Sequence, residues 1–178
     1  FEQLPAKLMN NSVSAFANLE GTASSEGVDQ KILYSFRMDP GVIPALKGAG
    51  LDILSLANNH MGDWGRAAYS DTLARLRENE ILYTGGGRNE AEAAAPVVVE
   101  KYGIRIGFLG FSDVGPAWLK AGAAQAGLLL ASDPHFDEII QTAAQEVDFL
   151  VVSFHWGDEY QPKHNIRQEH LAHRAAEA

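Results

Sequence analysis

The chain has 178 residues, a formal net charge of −9, 46% hydrophobic and 21% charged residues, and no cysteine. This composition predicts one globular domain over residues 1–178 and excludes a disordered chain, and the absence of a basic cluster argues against nucleic-acid partners. Without thiolates, any metal must be held by His, Asp, Glu or Asn. Neither a membrane-spanning stretch of roughly 20 apolar residues nor a targeting signal is predicted within the chain.

The first half of the chain alternates predicted strands and helices. The segment SVSAFANLE predicts a strand that ends at Glu20, and a polar loop rich in Gly and Ser follows. PGVIPALKGAG predicts a short helix closed by Gly48 and Gly50, and LDILSLA predicts a strand buried on both faces. Side chains then recur at the spacing of an amphipathic helix at Tyr69, Thr72, Leu73 and Leu76.

The middle of the chain contains a glycine-rich segment between two predicted elements. After a short strand from Ile81 to Thr84, the run Gly85 to Gly87 predicts a turn, since it lacks the spacing of a phosphate-binding loop. Asn89 and Glu92 then predict the start of a helix. The segments APVVVEKY and IRIGFLGFSD predict two strands joined by a hairpin turn at Gly103.

The remaining segments continue the alternation. Asp133 and Pro134 predict the start of a helix that runs to about Gln145, and VDFLVVSFHWG predicts another buried strand. Asn165 and Gln168 predict a capped terminal helix. Strands that alternate with helices predict an α/β domain with a largely parallel or mixed central sheet.

Polar side chains end four of the predicted strands. Glu20 ends the first, Asn59 and His60 follow the second, and Asp113 and His155 end two later ones. In open α/β sheets, ligands bind at the carboxyl ends of the strands. We therefore expect Glu20, Asn59, His60 and His155 to meet in one pocket at the same edge of the sheet.

Each of these residues also has a structural interpretation. Asn59 and Asp63 suit a turn and an N-cap for a helix that begins near Trp64. His155, between two aromatic residues, suits a packed and hydrogen-bonded imidazole, and Glu20 suits a loop carboxylate in water. Because such groups recur at four strand ends, the pattern favours the functional interpretation.

Three further residues are candidates for binding a substrate. Asp113 ends its strand beside the predicted pocket, and Glu159 and Tyr160 follow His155 closely. A solvated loop is the alternative for Glu159 and Tyr160.

Four segments of the chain resemble a known family. In order, they are ANLEG, LDILSLANNHMGDWG, DTLARLRENEILYTGGGRNEAEAAAPVVVEKYGIRIGFLGFSD and VVSFHWGDEYQP. Together they cover nearly the whole chain and resemble the bacterial capsule-synthesis (CapA) family of poly-γ-glutamate capsule biosynthesis, a branch of the calcineurin-like metallophosphatase superfamily.

The resemblance implies a four-layered αββα sandwich with a two-metal centre at the strand ends. By position, Glu20 would bridge the metals, Asn59 and His155 would be ligands, His60 would donate a proton and Asp63 would orient His60. The cofactors implied are divalent ions, Mn, Fe or Zn, which suit hard oxygen ligands combined with imidazole.

The family pattern extends beyond both ends of the sequence. It includes a Gly-Asp motif before the position of Glu20 and a histidine motif after the final helix, and residues 1–178 contain neither. We therefore expect the chain to be the middle part of a longer protein, truncated at both ends of the sandwich and holding only part of the metal shell.

The resemblance implies a capsule or poly-γ-glutamate biosynthesis protein that acts as a metal-dependent phosphoesterase-like hydrolase. One alternative is a non-catalytic component that binds or exports the polymer, and another is a hydrolase or transferase acting on the amide bonds of polyglutamate. The implied partners are the polymer or a phosphoester substrate, within a membrane-associated capsule-synthesis complex. The implied location of the longer protein is the cell surface or another compartment outside the cytoplasm.

Overall fold

The computed structural model describes residues 14–178, which form a mixed α/β fold. The strands are β1 (Phe16–Asn18), β2 (Thr22–Ala23), β3 (Arg37–Met38), β4 (Ile53–Ser55), β5 (Leu82–Thr84), β6 (Gly86–Gly87), β7 (Val97–Lys101), β8 (Ile104–Ser112), β9 (Gly127–Leu128) and β10 (Phe149–His155). The helices are α1 (Val42–Gly48), α2 (Gly65–Glu78), α3 (Glu90–Ala94), α4 (Phe136–Gln145) and α5 (Ile166–Glu177), with short 3-10 turns at His60–Gly62 and Ala117–Leu119.

Two three-stranded sheets organise the fold. The first has the order β1-β4-β5 and is parallel throughout. The second has the order β10-β8-β7, with β10 parallel and β7 antiparallel to β8. The sheets contact each other where the rings of Phe16 and Phe108 stack with centroids 5.4 Å apart. The Thr84 hydroxyl also donates to the Phe108 carbonyl oxygen at 3.1 Å.

Two clusters of buried side chains form the core. The first includes the buried side of α2, where Tyr69, Leu73 and Leu76 pack with residues of β4, so the predicted helical spacing is confirmed. The second joins β8 to α4 and α5 through Phe111, Phe136 and other apolar residues. Burial of this apolar surface is the main favourable term in folding, and it fixes the strand ends that carry the site.

The predicted local signals at turns and helix ends are largely confirmed. Asn89 and Asn165 cap α3 and α5 through their side chains, and Asn165 forms a full capping box with Gln168. Tyr102 and Gly103 both have positive φ, 55° and 77°, in the hairpin between β7 and β8.

The end of the first strand differs from the prediction. The first strand ends at Asn18 and not at Glu20, and the Ser12 and Val13 part of the predicted strand lies outside the described residues.

None of the helices within residues 14–178 is both long and apolar enough to cross a membrane.

The strand β10 was predicted to be buried, and this is wrong for its first half. It lies at the edge of its sheet, and Phe149 and Val151 are 63% and 42% exposed. The alternate residues Leu150, Val152 and Phe154 pack against the second core cluster. A continuous apolar run identifies a strand but does not reveal whether both of its faces are covered.

The glycine run at Gly85 to Gly87 is more than the predicted turn. Gly85 turns the chain with a φ of 78°, but Gly86 and Gly87 form β6, which pairs antiparallel with β9. A Cβ atom on Gly86 would overlap the hydroxyl of Tyr69 and lie 2.9 Å from the carbonyl oxygen of Gly127. Glycine is therefore required here because the backbone approaches a buried tyrosine.

We expect Gly86→Ala to lower the free energy of unfolding by about 1–3 kcal/mol, the usual cost of overpacking a core. Tyr69 cannot move aside easily because it is fully buried and its hydroxyl donates to Gly127 at 2.9 Å. Gly48→Ala is the matched control, since an added Cβ at this end of α1 meets no atom within 4 Å. Urea unfolding curves of both variants test this, and equal midpoints would contradict it.

Candidate functional site

Three of the predicted site residues meet where β1, β4 and β10 end. The Nε2 atom of His155 lies 2.9 Å from Oδ1 of Asn59 and 3.6 Å from Oε1 of Glu20. The side chains of His155 and Glu20 are 31% and 33% exposed, so solvent reaches them. We refer to Glu20, Asn59 and His155 as the donor group.

The donor group combines one carboxylate, one amide oxygen and one imidazole. Oxygen atoms of Asn59 and Glu20 both face Nε2 of His155, so the tautomer with its proton on Nε2 matches these two acceptors. In this state, the His155 ring donates to Asn59. A cation between the three groups would displace this proton, because a metal ligand must be deprotonated.

The spacing of the donor atoms fits a divalent cation. Two ligand atoms that each lie about 2.1 Å from one ion are about 3.0 Å apart in octahedral geometry and about 3.4 Å apart in tetrahedral geometry. The separations of 2.9 Å and 3.6 Å at His155 are of this size. Carboxylate, amide oxygen and imidazole are also ligand types that suit Mn, Fe or Zn.

The donor group contains few of the side chains that usually hold metal ions. Within residues 14–178, no group of three or more His, Asp or Glu side chains is arranged to hold a metal ion. The donor group contributes two such side chains and an amide. Of the other histidines, His60 is buried, and His135, His164, His170 and His173 are exposed.

His60 and Asp63 form a buried pair directly after Asn59. Nδ1 of His60 lies 2.7 Å from Oδ2 of Asp63, and the same oxygen accepts the backbone N–H of Phe36 at 2.8 Å. The Phe36 ring stacks on the imidazole with centroids 4.0 Å apart. Because an ionised carboxylate only accepts hydrogen bonds, this contact matches a proton on Nδ1, and Nε2 is the ring nitrogen that does not contact Asp63.

The helix-capping interpretation of Asn59 and Asp63 is wrong. Asn59 precedes the 3-10 turn at His60–Gly62 without a side-chain capping bond, and α2 begins after Trp64, which also makes none. The Asn59 side chain contacts His155 and the Asp63 side chain contacts His60.

Asn58 is a buried residue of the site that was not predicted. Its Oδ1 accepts the backbone N–H groups of His60 and Met61 at 3.0 and 3.1 Å. Its Nδ2 donates to the Leu19 carbonyl at 2.8 Å and to Oδ1 of Asn18 at 3.0 Å. It therefore ties the end of β1 to the end of β4.

Asn18 was also not predicted. Its Nδ2 donates to Oε2 of Glu20. A sequence signal for this contact exists, because residues two positions apart near the end of a strand project to the same side. For Asn58, the sequence signal is weaker, because it consists only of an amide side chain placed shortly after a buried strand.

The three predicted substrate residues differ in their surroundings, and only Asp113 is held next to a residue of the donor group. The backbone N–H of Asp113 donates to the His155 carbonyl at 2.9 Å, and its carboxylate accepts from Nε of Arg167 at 2.7 and 2.9 Å. This hydrogen bond raises the pKa of the Arg167 guanidinium and anchors the start of α5. Glu159 and Tyr160 are exposed in the loop after β10, so their role in substrate binding stays a prediction.

Comparison with known proteins places the sequence in a functional context. The model of a family described as bacterial capsule synthesis protein PGA_cap matches residues 2–178. The matched region includes the donor group, the His60–Asp63 pair and both buried clusters.

Curated relatives are similar over most of the chain. A capsule biosynthesis protein CapA of Bacillus anthracis is 33% identical over 164 residues, which cover 90% of this chain and 39% of that protein. A PGA biosynthesis protein CapA of Bacillus subtilis is 32% identical, over 76% of this chain and 36% of that protein. A probable polyglutamine synthesis accessory protein of Mycobacterium tuberculosis is 30% identical, over 80% of this chain and 41% of that protein. The chain thus spans about two fifths of the length of these relatives.

Proposed function

The chain belongs to the bacterial capsule synthesis protein family, and we propose that it forms the metal-binding part of a protein for capsule or poly-γ-glutamate biosynthesis that acts as a metal-dependent hydrolase on phosphoesters. The names of the Bacillus relatives, a capsule biosynthesis protein and a PGA biosynthesis protein, support the biosynthetic role. The observation that carries the hydrolase proposal is the contact of His155 with both Asn59 and Glu20.

The proposal includes the four-layered αββα arrangement of calcineurin-like metallophosphatases. Two sheets that contact each other through Phe16 and Phe108 support it. So does the presence of α2 in the core cluster of the first sheet and of α4 in that of the second. In this arrangement, the ends of β1, β4 and β10 form one edge that carries the donor group.

The donor group would hold the metal. Glu20, Asn59 and His155 would supply ligand atoms to a dinuclear centre of Mn, Fe or Zn, with Glu20 contributing the carboxylate. Such ions, when bound, generate a nucleophile from water and stabilise charge on phosphoryl oxygens. The partly exposed position of Glu20 and His155 leaves the group accessible to a substrate.

His60 is assigned to donate a proton to the leaving group. Asp63 accepts the Nδ1 proton at 2.7 Å, so the proton that is transferred resides on Nε2. Phe36 covers one face of the ring and holds Asp63 in place through its backbone N–H. Asp63 is therefore a positioning residue and not a proton donor itself.

The substrate and partners are part of the same proposal. Asp113, Glu159 and Tyr160 are assigned to the side of the site from which a phosphoester or the polymer enters. Of the three, Glu159 and Tyr160 are free to contact a ligand in water, because they are exposed. A membrane-associated complex at the cell surface is the proposed setting, in keeping with a capsule polymer as product.

A non-catalytic role in polymer binding or export is the second candidate. The observation in its favour is that, within residues 14–178, the donor group contains only two of the His, Asp and Glu side chains from which such centres are built. A site with this shell could bind polymer carboxylates through one cation without hydrolysing a phosphoester.

Removal of the metal from the full-length protein should separate the two candidates. We expect the manganese-loaded protein to hydrolyse bis-p-nitrophenyl phosphate, to lose this activity after chelation, and to regain it when Mn²⁺ is restored. The measurement is the rate of nitrophenolate release, beside an assay of polymer retention by cells. If the cells retain the polymer but the manganese-loaded protein does not hydrolyse the phosphodiester, the result would contradict the hydrolase proposal and support the non-catalytic role.

A further inference from the structure

We propose that Asn18, oriented by Asn58, is a positioning residue that fixes the Glu20 carboxylate for metal binding. The inference rests on the proposed function, because it assigns Glu20 to a metal ligand. It rests structurally on a continuous chain of hydrogen bonds from the buried backbone of the His60–Gly62 turn to the carboxylate of Glu20.

The chain of hydrogen bonds begins at the fully buried side chain of Asn58. Its Oδ1 accepts two backbone N–H groups, from His60 and Met61. A backbone N–H can only donate, so the amide of Asn58 has a single orientation that satisfies both. Its Nδ2 must then point towards Leu19 and Asn18, and the Leu19 carbonyl, which can only accept, requires the same orientation.

The orientation of Asn58 determines the orientation of Asn18. Since Nδ2 of Asn58 donates to Asn18, it is the oxygen of Asn18 that faces Asn58. The Nδ2 group of Asn18 therefore faces Glu20, where it donates to Oε2. A reversed Asn18 amide would place two donors against each other at Asn58 and two oxygens against each other at Glu20.

The consequence for Glu20 is that its two oxygens differ. Oε2 is held by Asn18, and Oε1 is the oxygen that faces His155 at 3.6 Å. Asn18→Ala would remove the hydrogen bond that holds Oε2 of this partly exposed carboxylate. Partners that orient metal ligands typically contribute about 10–100-fold to metal affinity.

The test uses Asn18→Ala in the full-length protein, with Asn79→Ala as the matched control. Asn79 also donates one side-chain hydrogen bond, to the Arg75 carbonyl at 2.8 Å, but it lies at the end of α2, outside the site. Titration of the metal-free proteins with Mn²⁺ in a calorimeter should show about 10–100-fold weaker binding for Asn18→Ala and unchanged binding for Asn79→Ala. Thermal unfolding of both variants beside the wild type separates weaker metal binding from lower stability, because Asn18→Ala removes an acceptor of the buried Asn58 amide and Asn79→Ala removes a hydrogen bond at the end of α2.

A second measurement does not require the metal. In the metal-free protein, Glu20→Ala should shift the side-chain amide resonances of Asn18 and leave those of Asn79 in place. This spectroscopic change reports the hydrogen bond itself and not the stability of the fold.

The two measurements distinguish failure of this inference from failure of the proposed function. Wild-type binding of Mn²⁺ that Asn18→Ala weakens less than twofold would overturn the inference and leave the metal site intact. The inference would also be overturned if Glu20→Ala left the side-chain amide resonances of Asn18 unshifted. A wild-type protein that takes up no Mn²⁺, but whose Asn18 amide responds to Glu20→Ala, would overturn the proposed function while supporting the orientation of Glu20 by Asn18.

Discussion

Replacing His60 with alanine should lower the turnover of the full-length, metal-loaded protein by about 10²-fold or more, the usual size of a general-acid contribution. The metal content should stay near that of the wild type, because His60 contacts Asp63 and Phe36 and is not part of the donor group. The measurements are the steady-state rate of phosphodiester hydrolysis and the metal content of the same samples.

Two further variants test whether the loss of turnover comes from the missing imidazole or from a change in folding. His60→Gln preserves much of the buried volume but has no titratable proton, so it should be as slow as His60→Ala. His173→Ala removes an exposed imidazole from α5 and should behave as the wild type. Loss of metal in parallel with activity in both His60 variants would show that His60 is a ligand and would contradict its assignment as the proton donor.

The variants Glu20→Ala and His155→Ala should lose the metal together with the activity. Each removes an atom of the donor group, and the effect on metal affinity should exceed the roughly 100-fold upper range found for residues that only orient ligands. The loss at Glu20 should be the larger of the two, because it removes the only negative charge of the donor group. Metal content by plasma mass spectrometry, after dialysis against a fixed concentration of free Mn²⁺, measures both.

Matched substitutions test whether these losses are specific. Glu78→Ala and His173→Ala remove an exposed carboxylate and an exposed imidazole from α2 and α5. Both should retain wild-type metal content. If Glu20→Ala kept the wild-type metal content and activity, Glu20 would be a loop carboxylate in water and not a metal ligand.

The grouping of Glu20, Asn59 and His155 could be anticipated from the sequence because of a simple property of parallel strands. Parallel neighbours such as β1 and β4 end at the same edge, so polar residues that follow them are brought close together. The sequence did not indicate which atoms would meet. That His155 faces both oxygens depends on how the second sheet lies against the first, which no local pattern encodes.

The contacts of Asn58 lay beyond sequence analysis for a related reason. Its partner Asn18 is 40 residues away, and its backbone partners are defined only once the His60–Gly62 turn has formed. Hydrophobic periodicity identifies buried apolar faces, but it is silent about a buried amide whose partners come from another strand.

The glycine run and β10 show the same limit for the fold. Gly86 pairs with a strand some 40 residues away, so a local glycine signal predicted a turn where the fold forms a short sheet. At β10, an apolar sequence identified the strand but did not indicate that Phe149 would be exposed at the edge of its sheet. Both features depend on partners that are distant in the chain.

The most direct test of the metal site is an anomalous difference map from crystals of the manganese-loaded full-length protein. We predict a peak in contact with Oε1 of Glu20, Oδ1 of Asn59 and Nε2 of His155, at the distances of about 2.0–2.2 Å that first-row metals keep to such ligands. A map without a peak between these three side chains, from crystals in which they are ordered and Mn²⁺ is in excess, would contradict the account.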